Sequence, residues 1–182
     1  LNEASEPLVT GIGAVTPVGL DAPSTWQALL AGESGVRPIS FFDASPLPTR
    51  IAGEVRGFDP VELLGPKRTH RSARFSQLAI AAAREAVADA GLEVGPVADR
   101  LAVAVGSAVA ATPETERNVA ALLDDGPKAV SPFFVPSTIP NMAACEVAID
   151  LGAHGPVTAT ALACATGTYA LLEAQRLIAA GE

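Results

Sequence analysis

An α/β fold with a mainly parallel sheet between helical layers is what this sequence predicts, and three observations carry that prediction. Short apolar and β-branched runs that read as buried strands alternate with longer amphipathic helices along the whole chain. Several of those runs end in glycine turns that lead toward a helix. Hydrophobic residues make up 49% of the 182 positions, enough for a substantial core. Ala, Gly, Val and Leu dominate and aromatic residues are scarce, so the core is expected to consist of small, closely apposed elements.

"PLVTGIGAVTPVG", residues 7–19, reads as a buried strand from Leu8 and Val9 onward that runs into a Gly-rich turn. Gly11 and Gly13 have the spacing of a dinucleotide-binding fingerprint. Thr16 stands at its third position, Pro17 follows and no helix opens there, so that reading is set aside. A helix is expected from near Ala22, with Trp26, Leu29 and Leu30 on one face and an end at Gly32. Residues 33–60 are rich in Pro, Gly and Ser and read as irregular chain around a short strand, "RIAGEV".

"SARFSQLAIAAAREAVADAG", residues 72–91, has the strongest helical pattern. Phe75, Leu78, Ala79, Ala82, Ala86 and Val87 recur at helical spacing, and Gly91 supplies the stop. "RLAVAVGS" follows as a fully buried strand. The next helix starts at "TPETERNVAALL", with Thr112 as N-cap, Pro113 at the first helical position and acidic residues in the first turn. After the Pro-rich "SPFFVPSTIP" another helix is expected over roughly 138–151. "GPVTATALA" reads as a buried strand that leads through Cys164 into a final helix, where Tyr169, Leu172, Leu177 and Ile178 can share a buried side. The chain stops at Glu182 directly after that helix, where an α/β domain ordinarily returns a strand, as an incomplete unit would.

Composition excludes several classes of function. A formal charge of −8 argues against nucleic acid or an anionic membrane as partner. No apolar run reaches the roughly 18–20 residues that cross a bilayer. "LNEASEPLVTG" carries no basic patch followed by an apolar segment, so no signal peptide is visible. Cys145 and Cys164 lie far apart and form neither a disulfide framework nor, with His70 and His154, a metal-ligand pattern; reduced thiols in a cytoplasmic protein are expected. The stretch 66–74, "PKRTHRSAR", holds Lys67, Arg68, His70, Arg71 and Arg74 with no carboxylate. It is either a docking site for a more acidic partner or a solvated helix face.

"ALACATG", residues 161–167, raises the sharpest question. Cysteine is often simply a small buried hydrophobe, and Cys145 invites no other reading. Cys164, however, stands where a strand delivers the chain to a helix start. Free backbone N–H groups there favour a thiolate and can donate to an oxyanion. Ala163, Ala165 and Gly167 permit a sharp turn and close approach of a substrate. The arrangement follows the logic of the nucleophile elbow. On these grounds alone, core residue and nucleophile both stay open.

Taken in order, "VTGIGAVTPVG", "RFSQLAIAAAREAVADAGL", "VGSA", "SPFFVPSTIPNMAA" and "ACATG" resemble the N-terminal half of a β-ketoacyl-acyl carrier protein synthase, an elongating condensing enzyme of the thiolase superfamily. The resemblance runs nearly the whole chain. It implies a thiolase-like fold, of which 1–182 would be the first half of a five-layered αβαβα sandwich. It also implies a decarboxylating Claisen condensation: Cys164 accepts an acyl chain from a carrier-protein phosphopantetheine thioester, and a malonyl thioester loses carbon dioxide and attacks it. The Cys164 N–H would form half of the oxyanion hole. Beyond phosphopantetheine carried by the partner, no cofactor is implied.

In the family two histidines and a lysine come from the C-terminal half; His70 and His154 match neither histidine. The 182 residues are therefore expected to be catalytically insufficient without a C-terminal ketosynthase half. By the same matching, Val109, Phe134 and Leu162 would line the acyl pocket, Phe134 reaching across a dimer interface. Lys67, Arg68, His70 and Arg71 would dock acyl carrier protein. Leu162 stands where elongating synthases commonly carry threonine, which leaves a polyketide ketosynthase as the alternative to fatty acid synthesis. Homodimer and ketosynthase-type heterodimer both fit, as does a non-catalytic structural half. Against that last reading, the inactive chain-length-factor partners resemble this family but lack the cysteine.

Overall fold

The computed structural model describes residues 7–182. The first six residues of "LNEASEPLVTG" therefore lie outside the described residues. In chain order the elements are α1 (Ala22–Leu30), β1 (Val36–Pro38), β2 (Ile51–Gly53), α2 (Pro60–Leu64), α3 (Pro66–Thr69) and α4 (Arg74–Asp89). There follow β3 (Val103–Ala104), α5 (Thr112–Asp125), α6 (Phe134–Thr138), α7 (Met142–Leu151), β4 (Val157–Thr158) and α8 (Thr166–Ala180). Short 3-10 turns cover Gly95–Arg100, Pro127–Ala129 and Ala163–Ala165. The fold is α/β, as the alternation predicts. Among the described residues the sheets have two strands each, and the parallel pairing is confined to β3 and β4.

The chain forms two compact units. One comprises Thr10–Asp59 and Ala81–Gly91. Here the opening segment departs from the expected buried strand: Leu8 and Val9, just before it, are 82% and 78% exposed. The Ile12 N–H donates to the Asp89 carboxylate at 2.9 Å and the Ala14 N–H to Glu85 at 2.8 Å. Alternate amides thus find side-chain acceptors on α4 where a strand would find a neighbour's carbonyls. Gly11 and Gly13 allow that approach, because a Cβ at either would collide with the Ala86 or Ala82 carbonyl. Asp21 caps α1 by accepting the Ser24 N–H at 2.7 Å, and the Ser24 hydroxyl together with that N–H holds its carboxyl below the usual range. The face carrying Trp26, Leu29 and Leu30 is exposed; Ala28 is the residue of α1 that is buried. The expected strand "RIAGEV" shortens to β2 and pairs antiparallel with β1, with Arg37 opposite Ala52.

The other unit contains Pro60–Ile80 and Leu92–Glu182. Its core gathers Ile80, Val103, Ala111, Ala143, Ala144, Val147 and Leu177. Helix α4 begins two residues later than the pattern indicates. Ser76, Gln77 and Ile80 are its buried residues, while Phe75, Leu78, Ala79, Ala82, Ala86 and Val87 are half-buried. Gln77 is drawn in because its amide donates to the Ser72 and Thr69 carbonyls at 2.7 and 3.2 Å. Helix α5 starts with Thr112 inside it, so Ala111 takes the cap position and Thr112 makes no capping bond.

The helix expected over roughly 138–151 begins later, at Met142, and the short helix α6 ends at Thr138. Ile139 is extended (φ −70°, ψ 142°) because it precedes Pro140, which disfavours helical backbone in the residue before it. In α8, Leu177 is buried and Tyr169 half-buried, but Leu172 and Ile178 are exposed, so the expected shared side is narrower than the pattern.

Candidate functional site

The two parallel strands place the cysteine. Val103, Val105 and Ser107 donate their N–H groups to the carbonyls of Pro156, Thr158 and Thr160 at 2.8–3.2 Å. The bonded register therefore runs past the strict ends of β3 and β4. Val157, at 42% exposure, shows that the second strand is not fully buried as expected. Both chains then leave the ladder at their carboxyl ends, the position at which parallel sheets place ligands.

Each exit contains a residue in an unusual conformation. Ala110 (φ +59°) follows β3 and Ala163 (φ +48°) follows β4; they are the non-glycine residues with positive φ among those described. A side chain in left-handed backbone is strained and needs support from its surroundings. At Ala163 that support is Thr166, which is 5% exposed. Its hydroxyl accepts the Leu162 N–H at 2.8 Å and donates to the Ala163 carbonyl at 2.7 Å. Around this pair the chain reverses through the 3-10 turn and enters α8.

Cys164 lies in the middle of that turn and is exposed. The Ala165 and Thr166 N–H groups point back to the Leu162 and Ala163 carbonyls, so the donors closing the turn are those two and not the Cys164 amide. Cys145 differs: it is half-buried in α7, with the Asn141 amide 3.6 Å from its sulfur. The cysteine singled out by the sequence is thus the more exposed residue of the two.

The other residues named by the sequence are distributed. Leu162 adjoins the turn and is 47% exposed; Val109 stands beside Ala110 on the β3 exit and is exposed. Phe134 opens α6 and lines a polar cleft of about 340 Å³ with His70, Arg74, Gln77, Arg117 and Ser137. Cys164, Val109 and Leu162 are not among that cleft's walls.

The basic residues separate as well. Lys67, Arg68 and Arg71 border a shallow cleft of about 380 Å³ with Leu64 and Pro66. His70 meets the Phe133 ring edge-on at 6.1 Å, and the Arg71 guanidinium lies 4.8 Å from the same ring's centre. Arg68 turns inward to Asp150. Beside it, burial pushes the Glu146 carboxyl up from its ordinary value. The Arg68 charge draws it partly back and the Asp150 carboxylate pushes it further up. Sequence reasoning missed Thr166, Glu146 and Asp150: a hydroxyl two residues past a cysteine and carboxylates in a helical run carry no distinctive spacing.

Comparison with known proteins shows the family to which the chain belongs. The family described as "Beta-ketoacyl synthase, N-terminal domain" matches residues 6–182. The chain is 46% identical over 173 residues to the 3-oxoacyl-[acyl-carrier-protein] synthase 2 of Coxiella burnetii, covering 94% of this chain and 42% of that protein. It is 43% identical over 176 residues to the synthase 2 of Staphylococcus aureus, covering 96% and 44%. Among solved structures, the ishigamide ketosynthase/chain length factor superposes with a TM-score of 0.82 at 28% identity, over 93% of this chain and 44% of that one. The chain thus spans less than half the length of the curated relatives it matches. With the family pattern covering nearly every residue, this chain belongs to the β-ketoacyl synthase N-terminal domain family.

Proposed function

We propose that Cys164 is the acyl-accepting nucleophile of a 3-oxoacyl-acyl carrier protein synthase of fatty acid synthesis, with the chain forming the first half of a thiolase-like αβαβα sandwich. One observation carries this reading. An exposed cysteine stands between a left-handed alanine and a helix start, at the carboxyl end of a parallel strand pair. Backbone held in that way positions a nucleophile without the freedom to retreat. Relatives named as 3-oxoacyl-[acyl-carrier-protein] synthase 2 at 43–46% identity support the choice of reaction.

In the proposed reaction the Cys164 sulfur attacks the carbonyl of an acyl thioester, and the phosphopantetheine thiol leaves with the proton. A malonyl thioester then loses carbon dioxide. The electron pair released attacks the acyl carbonyl, the carbon–sulfur bond to Cys164 breaks, and the thiolate returns. The Cys164 N–H, which does not close the turn, would face the oxyanion. Acyl carrier protein is the partner, Lys67 and Arg71 supply docking charge, and the protein works in the cytoplasm, paired with a second ketosynthase-type chain. Val109, Phe134 and Leu162 would border the acyl chain in that assembly.

A second reading, a polyketide ketosynthase, is favoured by Leu162 next to the turn and by the ketosynthase/chain length factor among structural neighbours. Mass spectrometry of the full-length natural polypeptide after incubation with acyl-carrier protein tests the first step. An acyl adduct that vanishes in Cys164→Ala and persists in Cys145→Ala is expected. An adduct retained by Cys164→Ala would refute the assignment. The product formed from malonyl-carrier protein, one condensation or several, separates the two pathways.

A further inference from the structure

Residues 66–74 hold cations and no carboxylate, so a patch of uniform positive charge is the simple expectation. Tertiary structure divides it. The Arg68 guanidinium donates through Nη1 to the Asp150 carboxylate and through Nη2 to the Glu146 main-chain oxygen at 3.1 Å. Both acceptors sit on α7. The Asp150 side chain is 3% exposed and that of Arg68 31%. A carboxylate so covered depends on its cation, because water cannot take the cation's place. The planar fork also fixes the direction from which Arg68 approaches.

The element carrying these charges is too short to be a stable helix alone. Helix α3 has four residues and is entered through Gly65 at φ +75°. The Thr69 hydroxyl ties it to the Pro60 and Gly65 carbonyls at 2.8 and 2.9 Å, both within its own neighbourhood in sequence. Arg68 adds a tie to α7, beside the Gln77 amide on the Thr69 carbonyl and the contacts of His70 and Arg71 with Phe133. Lys67 and Arg71 meanwhile remain exposed.

We infer that Arg68 and Asp150 form an internal clamp that positions α3, and that the charge an acidic carrier reads resides in Lys67 and Arg71, not in Arg68. The inference rests on the carrier-docking reading above. Arg68 and Asp150 are then positioning residues. As a neutral pair they add little to the long-range field that speeds encounter, whereas Lys67 and Arg71 add directly to it.

The test follows acylation of Cys164 in the full-length natural polypeptide, from acyl-carrier protein and from a small acyl thioester, across a range of salt concentrations. Lys67→Ala and Arg71→Ala should each slow carrier-borne acylation at low salt and flatten its salt dependence, with the small thioester unaffected. The paired change Arg68→Met with Asp150→Asn should raise the carrier KM several-fold, leave the salt dependence as in the parent and spare the small thioester. If Arg68→Met alone flattens the salt dependence as much as Lys67→Ala does, Arg68 faces the carrier and the inference is wrong. A parental carrier KM in the paired variant would equally overturn it. If Lys67→Ala and Arg71→Ala change nothing, the docking reading itself fails and the inference falls with it.

Phenylglyoxal labelling of the unmutated protein gives an answer that does not depend on variants folding. Arg71 should label and be shielded by carrier protein, while Arg68 stays unlabelled in both conditions. Labelling of Arg68 that carrier protein blocks would contradict the clamp.

Discussion

A Cβ placed on Gly106 would stand 2.0 Å from the Thr166 Cγ2 methyl. Gly106, between the ladder donors Val105 and Ser107, and the first residue of α8 therefore touch, next to the turn that carries Cys164. Gly106→Ala would force the β3 exit and the start of α8 apart. The expected cost is about 1–3 kcal/mol, as for other overpacked interiors. Iodoacetamide labelling of Cys164 relative to Cys145 should change with it. Denaturant melts and peptide-resolved labelling check both effects, and an unaltered labelling ratio would show that the turn does not depend on this contact.

The same threonine holds Ala163 in left-handed backbone by accepting from Leu162 and donating to Ala163. Thr166→Val keeps the shape and the methyl against Gly106 but leaves the Leu162 N–H without its acceptor. Loss of about 0.5–1.5 kcal/mol follows from the missing part-buried hydrogen bonds, together with slower Cys164 acylation by a small thioester. Thr166→Ser keeps the hydroxyl and should stay closer to the parent in acylation rate. Equal rates in the two variants would remove the hydroxyl from the account.

How much of this was legible in the sequence depends on distance along the chain. Helices α1, α4 and α8 were readable because their patterns are local, and glycines 32 and 91 close or follow the first two in left-handed backbone. The cysteine turn was readable from small residues between a β-branched run and a helix. Its strain was not, since nothing in "ALACATG" says that Ala163 takes positive φ. The opening strand was misread because the acceptors for Ile12 and Ala14 are side chains 77 and 71 residues away. The ion pair of Arg68 was out of reach for the same reason: its partner Asp150 lies 82 residues on.

Glu85 gives a test of the first of those long-range contacts. Its carboxylate accepts the Ala14 N–H through one oxygen at 2.8 Å and the Ala22 N–H through the other at 2.7 Å. One side chain thereby serves both the opening segment and the first residue of α1. Glu85→Gln keeps the length but replaces one acceptor by an NH₂ group facing a backbone donor. A destabilisation of about 1–3 kcal/mol is expected, with faster amide exchange at Ala14 or Ala22. Parental exchange at both amides would mean that the carboxylate is not what holds the segment.

Glu54 carries the clearest pH signature. Burial pushes its carboxyl up. The backbone and hydroxyl of Ser40, the Arg56 guanidinium and the Phe41 N–H outweigh that push and hold it at about 2, against an ordinary 4.5. The bonds are short: Ser40 Oγ at 2.8 Å, the Ser40 and Phe41 amides at 3.0 Å and Arg56 at 2.7 Å. Because the folded value lies below the unfolded one, the unfolded chain binds the proton first as acid is added. Stability from this group is therefore complete above about pH 4.5 and drains away as the pH falls toward about 2. Glu54→Gln lacks the titration, so the gap between parent and variant in urea melts should be widest near neutral pH and narrow across that window. A gap of constant width would show that hydrogen-bonding shape, not the ionised carboxylate, fastens Ser40 and Phe41 to the end of β2.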